Sequence, residues 1–254
     1  MKDVTSLSAV WLRLGMMCLS SAHHELSPAV AVIPVDSDDA YDKDPCRREL
    51  DGVLDQFGYG STDTVATTIF PYYLWNSKAP RAELFERYFR LLPRIRKLNR
   101  RGVYFERLTS YPGIKDQRGF NQLDHIITTY SHNNHRRSAL QGSVIDPVQD
   151  LDNDSPVLGF PCMNQVGFLP DLARNTLTVT AYYPMQYMFR RAYGNYLGLV
   201  RLGRFMAHEM GFQCDRVICV ASVGKVERHE SAGMADSHAT QLRRLNSVYS
   251  GTAT

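Results

Sequence analysis

The sequence predicts an α+β fold, a mostly antiparallel mixed sheet with a long buried helix and flanking helices. Three observations carry this. β-Branched runs bounded by Pro, Asp or Asn recur along the chain. Segments with helical periodicity fall at intervals among them. One such segment keeps an apolar face all the way from Tyr193 to Met210.

The elements follow in chain order. Ala9 to Ala22 reads as an amphipathic helix with Trp11, Leu14 and Cys18 on one face, since Arg13 interrupts the apolar run a signal peptide would need. Ala29 to Val35 and Thr64 to Phe70 read as strands. Arg81 to Leu98 has helical spacing, with Pro93 expected to break or kink it. Leu123, Ile126, Ile127 and Tyr130 fall at i, i+3, i+4 and i+7 and define a helix face, leaving Asp124, Thr128 and Thr129 outside. Ser138 to Ile145, Gly159 to Phe168, Thr176 to Tyr187 and Arg216 to Val223 read as strands, the middle two joined by a Pro, Asp and Asn turn. The long helix lies between the last two strands, with Leu199, Leu202, Phe205, Met206 and Met210 on its buried side.

A chain of 254 residues that is 44% hydrophobic can bury one substantial core. No linker-like or repetitive stretch divides it, so residues 1–228 are expected to form a single domain. Residues 229–254 are poor in large apolar side chains and are expected to be disordered. With 29 basic and 26 acidic residues the net charge is +3, which argues against a nucleic-acid binder, and no run is apolar enough for a membrane span. The five cysteines form no CxxC pair, which fits a reducing, cytoplasmic setting. His132 and His135 could share a metal, but no third ligand stands nearby and solvated histidines are the expectation.

Four segments in order suggest chemistry: the doublet Arg136 and Arg137, a strand, GFPCMNQVGF around Cys162, and YGNYLGLVRLGRFMAHEMG around Asn195. Each has an ordinary reading. A basic doublet is usually a solvated helix end, a cysteine in an apolar strand a small core residue, and an Asn at a helix start a cap. Upstream, Gly102, Val103 and Tyr104 precede Tyr111 and Pro112, and Tyr104 beside Val103 and Phe105 is equally plausible as core.

Taken together, their order and spacing resemble the thymidylate synthase and pyrimidine-nucleotide (dCMP) hydroxymethylase superfamily, over roughly Gly102 to Glu227. The resemblance implies a thymidylate synthase-like fold, with residues 1–60 as a divergent N-terminal part. It also implies an enzyme, a C5 methyl- or hydroxymethyltransferase. Cys162 would add to C6 of the ring as a thiolate, activated by nearby guanidinium groups. Asn195 would read the ring edge and stabilise charge at O4, and Tyr104 would join the proton transfers. Arg136 and Arg137 would hold a 5′-phosphate bidentately, reaching into the partner's site in a homodimer with shared active sites. Gln186, Lys225 and Glu227 would be further substrate-binding residues, and 5,10-methylenetetrahydrofolate the donor.

The match departs from the family in three places. Tyr183, Pro184, Met185 and Gln186 stand where the family has a Gln-Arg-Ser triplet, so its phosphate-gripping Arg is missing, with Arg190 or Arg191 as candidate substitutes. Lys225 and Glu227 replace the His and Tyr that hold the ribose. Tyr187 and Arg191-Ala192-Tyr193-Gly194 replace the Asp and Leu-Pro-Phe run that meet the pterin. Asp63 and Glu83 are candidates for the family's N-terminal catalytic Glu. The alternatives are a catalytically silent nucleotide-binding or scaffold protein that retains the fold, and a cysteine hydrolase or transferase for which none of the eight histidines can be assigned as base.

Overall fold

The computed structural model describes residues 6–35, 38–99, 103–112, 119–151, 162–228 and 237–249, which form a mixed α+β fold built on a six-stranded sheet. Helix α1 (Leu7–Ser20) begins at Ser6, whose hydroxyl accepts the Ala9 N–H, and buries Trp11, Leu14 and Cys18 together with Leu7, Val10, Leu12 and Leu19. Strands β1 (Glu25–Leu26) and β2 (Ala29–Pro34) follow, the second alternating Ala29, Ala31 and Ile33 inward with Val30 and Val32 outward. Next come α2 (Asp38–Lys43), α3 (Pro45–Gln56), α4 (Thr62–Ile69), α5 (Arg81–Leu98), α6 (Tyr104–Thr109) and α7 (Gln122–Ser131). The remainder is β3 (Gln141–Ser143), α8 (Pro147–Leu151), β4 (Gln165–Asp171), β5 (Thr176–Tyr187), α9 (Tyr193–Met210), β6 (Gln213–Lys225) and α10 (His238–Tyr249).

The sheet runs β1-β6-β5-β4-β3, with β2 also paired to β6. Every pairing is antiparallel except β5 with β6. Two parallel neighbours need a crossover, and α9 supplies it. It ends at Gly211, in the left-handed region at φ 79°, which lets the chain turn straight into β6. Helix α9 meets the sheet at Gly203, against Val179 and Cys214, while Phe205 packs on Phe70, Trp75 and Phe85, and α4 crosses close over its first half. No helix among the described residues is long and apolar enough to cross a membrane.

Several sequence expectations need correction. Thr64 to Ile69 is helical, as part of α4, and only Phe70 is extended: the Ser61 hydroxyl caps the helix at the Thr64 N–H, and Val65, Ala66 and Ile69 form a buried helical face that outweighs β-branched composition. Helix α5 is not broken at Pro93, which lies on its exposed side. In place of a strand over Ser138 to Ile145 there is a 3-10 turn (Arg137–Ala139) and the three-residue β3. Residues 159–161 lie outside the described residues, and Cys162 sits on a bend ahead of β4 rather than within a strand. Strand β6 is longer at both ends than Arg216 to Val223. The tail is not disordered throughout: α10 buries His238, Leu242 and Leu245 at i, i+4 and i+7. The remainder of 229–254 lies outside the described residues.

One face of the sheet is rich in exposed apolar groups. Val30, Val220, Tyr182 and Gln165 lie in one row across β2, β6, β5 and β4; Val32, Ile218, Thr180 and Gly167 lie in the next. Val30, Val32 and Tyr182 from these rows, and Leu169 further along β4, are exposed.

Candidate functional site

Strands β5 and β6 run parallel and finish side by side, with Tyr187 opposite Lys225. The start of β4 reaches the same end of the sheet, because β4 runs against β5. The Asn164 N–H donates to the Tyr182 carbonyl at 2.9 Å, and the Asn164 carbonyl accepts the Val144 N–H at 2.8 Å. These bonds fix the segment just after Cys162, and the Cys162 side chain is exposed.

Helix α6 brings Tyr104 to this point. Its hydroxyl is faced by the backbone N–H groups of Met163 and Cys162, and its ring meets Tyr183 edge-on with centroids 6.5 Å apart. Burial pushes the Tyr104 phenol well up, so it remains a protonated donor at neutral pH. The Arg191 guanidinium lies within electrostatic range of that hydroxyl and opposes the rise, though it does not cancel it. Two of the three proposed catalytic residues, Cys162 and Tyr104, therefore share one place. Tyr104 also packs against the hydrophobic core, as the sequence reading allowed.

Asn195 lies in the first turn of α9, at the end of the sheet where β5 stops. It is not the helix cap. The π-helical turn Met188–Ala192 runs directly into α9 with Ala192 already helical, so a side-chain cap has no place there. Asn195 is buried, and no hydrogen bond from a described residue takes up its side-chain amide. Gln186 differs. Its Oε1 accepts the Tyr196 hydroxyl at 3.0 Å and its amide nitrogen faces the Cys219 thiol at 3.8 Å, so both ends are turned toward protein.

The remaining sequence candidates are engaged or distant. The Lys225 ammonium pairs with Glu25 at 2.7 Å. Glu227 is buried; its Oε1 accepts the Arg190 N–H at 3.1 Å and stands 3.5 Å from the Arg190 Nε. Arg190 in turn stacks over Tyr187 at 4.6 Å. Of the two arginines considered as substitutes, Arg190 is thus half-buried against Glu227 and Tyr187, while Arg191 is exposed and pairs with no carboxylate among the described residues. Asp63 pairs with Arg47 and Arg201, and Glu83 with Arg87.

Arg136 and Arg137 do not close a helix: α7 ends at Ser131, and the doublet follows an exposed turn. The Arg136 Nε donates to the Ser138 hydroxyl at 2.9 Å. Arg137 borders two adjoining cavities on the open sheet face. One, of about 250 Å³, is lined by Gln141, Gln165, Thr180 and Tyr182; the other, of about 550 Å³, by His135, Leu169, Thr178 and Asp215. The second cavity lies toward the end of β4 away from Cys162. Gln165 and Tyr182, which line the first cavity with Arg137, stand at the start of β4, the end that follows Cys162.

Sequence reasoning missed Asn164, Tyr183 and the Glu227–Arg190 pair. Their signals were weak: an Asn two residues after a cysteine, and a tyrosine noted only for occupying another residue's place. His132 is exposed and its ring bonds the Thr128 carbonyl at 2.7 Å, while His135 packs against the Tyr130 ring. Among the described residues no group of three His, Cys, Asp or Glu side chains is arranged to hold a metal ion. No protein-family model and no curated protein matches this chain.

Proposed function

We propose that this chain is a thymidylate synthase-like transferase that adds a one-carbon unit, methyl or hydroxymethyl, at C5 of a pyrimidine nucleotide. The observation that carries the reading is the meeting of Tyr104 with Cys162, two residues from separate segments of the resemblance, where β5 and β6 end. The Cys162 thiolate adds at C6, and the electron pair of the C5–C6 bond moves onto the O4 carbonyl. The one-carbon unit bonds to C5 as its bond to the donor breaks and the C5 proton leaves; water would complete a hydroxymethyl group, or a hydride from a reductant a methyl group, and expulsion of the thiolate restores the double bond. Asn195 would hold O4 as charge develops, and Tyr104, kept protonated by burial, would take part as a proton donor.

The proposed donor is 5,10-methylenetetrahydrofolate, which supplies a carbon at the formaldehyde level. The residues around Tyr187 do not fit a pterin as the family's do. Tyr187 offers a phenol beneath Arg190 in place of a carboxylate, so no step is assigned to groups on the folate.

A homodimer joined through the open face of the sheet, in a cytoplasmic setting, completes the proposal. Rows of Val, Ile and Tyr side chains on that face are what a second copy would cover. Arg136 and Arg137 rim it, and each copy's doublet would reach the other's site to hold the 5′-phosphate.

The deciding experiment is tritium release from 5-tritiated UMP, dUMP, CMP and dCMP, with and without methylenetetrahydrofolate. Release from one of them names base and sugar and supports the reading. No release from any, with Cys162 reduced, favours a silent nucleotide-binding or scaffold protein. That second reading is favoured by one observation: Gln186, Lys225 and Glu227 are each engaged by protein groups.

A further inference from the structure

Tyr183 is fully buried, and its hydroxyl has no hydrogen-bond partner among the described residues. A buried hydroxyl left unmade costs about 1–3 kcal/mol, and a phenylalanine would fill the same space without that cost. Other large tyrosines of the same layer are answered: Tyr196 donates to Gln186 at 3.0 Å and Tyr193 to Asp44 at 3.1 Å. The orphan is therefore local.

A second unmet group lies close by. Gln165 pairs with Tyr182 across β4 and β5, and the Asn164 N–H also donates to the Tyr182 carbonyl at 2.9 Å, which puts Asn164 beside the residue preceding Tyr183. The Asn164 Oδ1 is likewise buried without a partner. An unmet donor and an unmet acceptor thus stand together two residues from Cys162, beside the ring of Tyr104. An orphan atom alone does not make a site. The Tyr88 hydroxyl is also unpartnered, but it lies among Phe89 and Phe105, with no thiol in that cluster.

We infer that the Tyr183 hydroxyl is a ligand contact of the site at Cys162, donating a hydrogen bond to a ring carbonyl or other acceptor on the edge of the base. The inference rests on the reading that the site takes a pyrimidine nucleotide. Asn164, as the acceptor beside it, makes the pair complementary to a ring edge carrying both C=O and N–H. Burial pushes the Tyr183 phenol well above its ordinary value, so the donor keeps its proton throughout the neutral range.

The test measures nucleotide affinity by calorimetry, and melting temperature without ligand, for the wild type, Tyr183→Phe and Tyr88→Phe. UMP, dUMP, CMP and dCMP are the probes. Tyr183→Phe is expected to melt at or above the wild-type temperature yet bind the recognised nucleotide about ten-fold more weakly, the loss of one net hydrogen bond. Tyr88→Phe is expected to leave affinity unchanged. Unchanged affinity in Tyr183→Phe, or an equal loss in Tyr88→Phe, overturns this inference and leaves the functional reading standing. A wild type that binds none of the four overturns both.

Discussion

The Arg190 N–H donates to the Glu227 Oε1 at 3.1 Å, while the Glu227 Oε2 is buried without a hydrogen-bond partner among the described residues. Burial is the largest influence on this carboxyl and raises it above its ordinary 4.5, with Arg190 only partly opposing the rise. A carboxyl whose folded pKa is raised contributes stability that is fully present below pH 4.5 and is lost as pH climbs through the folded value. Glu227→Gln keeps an acceptor for the Arg190 N–H and removes that titration. It is expected to be more stable than wild type at pH 7, with the gap closing as pH falls to 4.5. A variant less stable at pH 7 would mean that the Arg190 ion pair outweighs burial. Denaturant titrations at several pH values measure this.

The cysteines differ in the same physical terms. Burial pushes the thiol of Cys18 up to about 11, and those of Cys46, Cys214 and Cys219 to about 12. At pH 8 their thiolate fractions fall to roughly one part in a thousand or less. Cys162 is the exposed one of the five. Iodoacetamide at pH 8 is expected to label the native protein at one site, found by peptide mass at Cys162, and Cys162→Ser should abolish that label. Labelling of a second cysteine at a comparable rate would show that burial does not protect it.

Strand β5 and helix α9 were legible to the residue, Thr176–Tyr187 and Tyr193–Met210, because each keeps one period between clear boundaries. Helix α4 was not, since its Thr, Val and Ile content imitates a strand; the decisive signal was the cap at Ser61. At the site, Cys162 and Tyr104 could be paired through the order of motifs. The engagement of Lys225 by Glu25 and of Glu227 by Arg190 could not, because each joins residues far apart in the chain through side-chain directions that spacing does not encode.

Helix α9 approaches α4 closely enough to require glycine. A Cβ at Gly198 would stand 2.8 Å from the Ala66 carbonyl oxygen and 2.9 Å from the Ile69 Cβ. A backbone oxygen cannot rotate away, so Gly198→Ala is expected to cost about 1–3 kcal/mol. At roughly 2–4 °C per kcal/mol, melting should fall by several degrees. Gly52, inside α3, has nothing within 4 Å of its added Cβ. Gly52→Ala should therefore raise stability by about 0.5–1 kcal/mol through helix propensity. Two shifts of the same sign would show that helix propensity, not the α4–α9 contact, governs Gly198.

Helix α10 joins the core although composition argued against it. His238 Nδ1 donates to the Glu227 carbonyl at 2.7 Å, and that proton position leaves Nε2 to accept the Tyr59 hydroxyl at 3.1 Å. The His238 ring stacks on Phe189 with centroids 4.5 Å apart. Leu242 lies fully buried over Gly15 of α1, where an added Cβ would be 2.6 Å from its Cδ2. Leu242→Ala is expected to cost about 2–5 kcal/mol, as removal of a buried leucine does when its surroundings cannot collapse. Val248, 48% exposed on the same helix, provides the control, and Val248→Ala should stay within about 0.5 kcal/mol of wild type. Equal small effects in urea unfolding would mean that α10 rests on the surface; a large loss at Leu242 alone would make it part of the cooperative fold. Because His238 bonds the backbone of Glu227, the Leu242 loss should also weaken the bond between Glu227 and Arg190. Because Arg190 opposes the rise of the Glu227 carboxyl, the pH dependence described for Glu227 should then grow in Leu242→Ala, which a second series of titrations would measure.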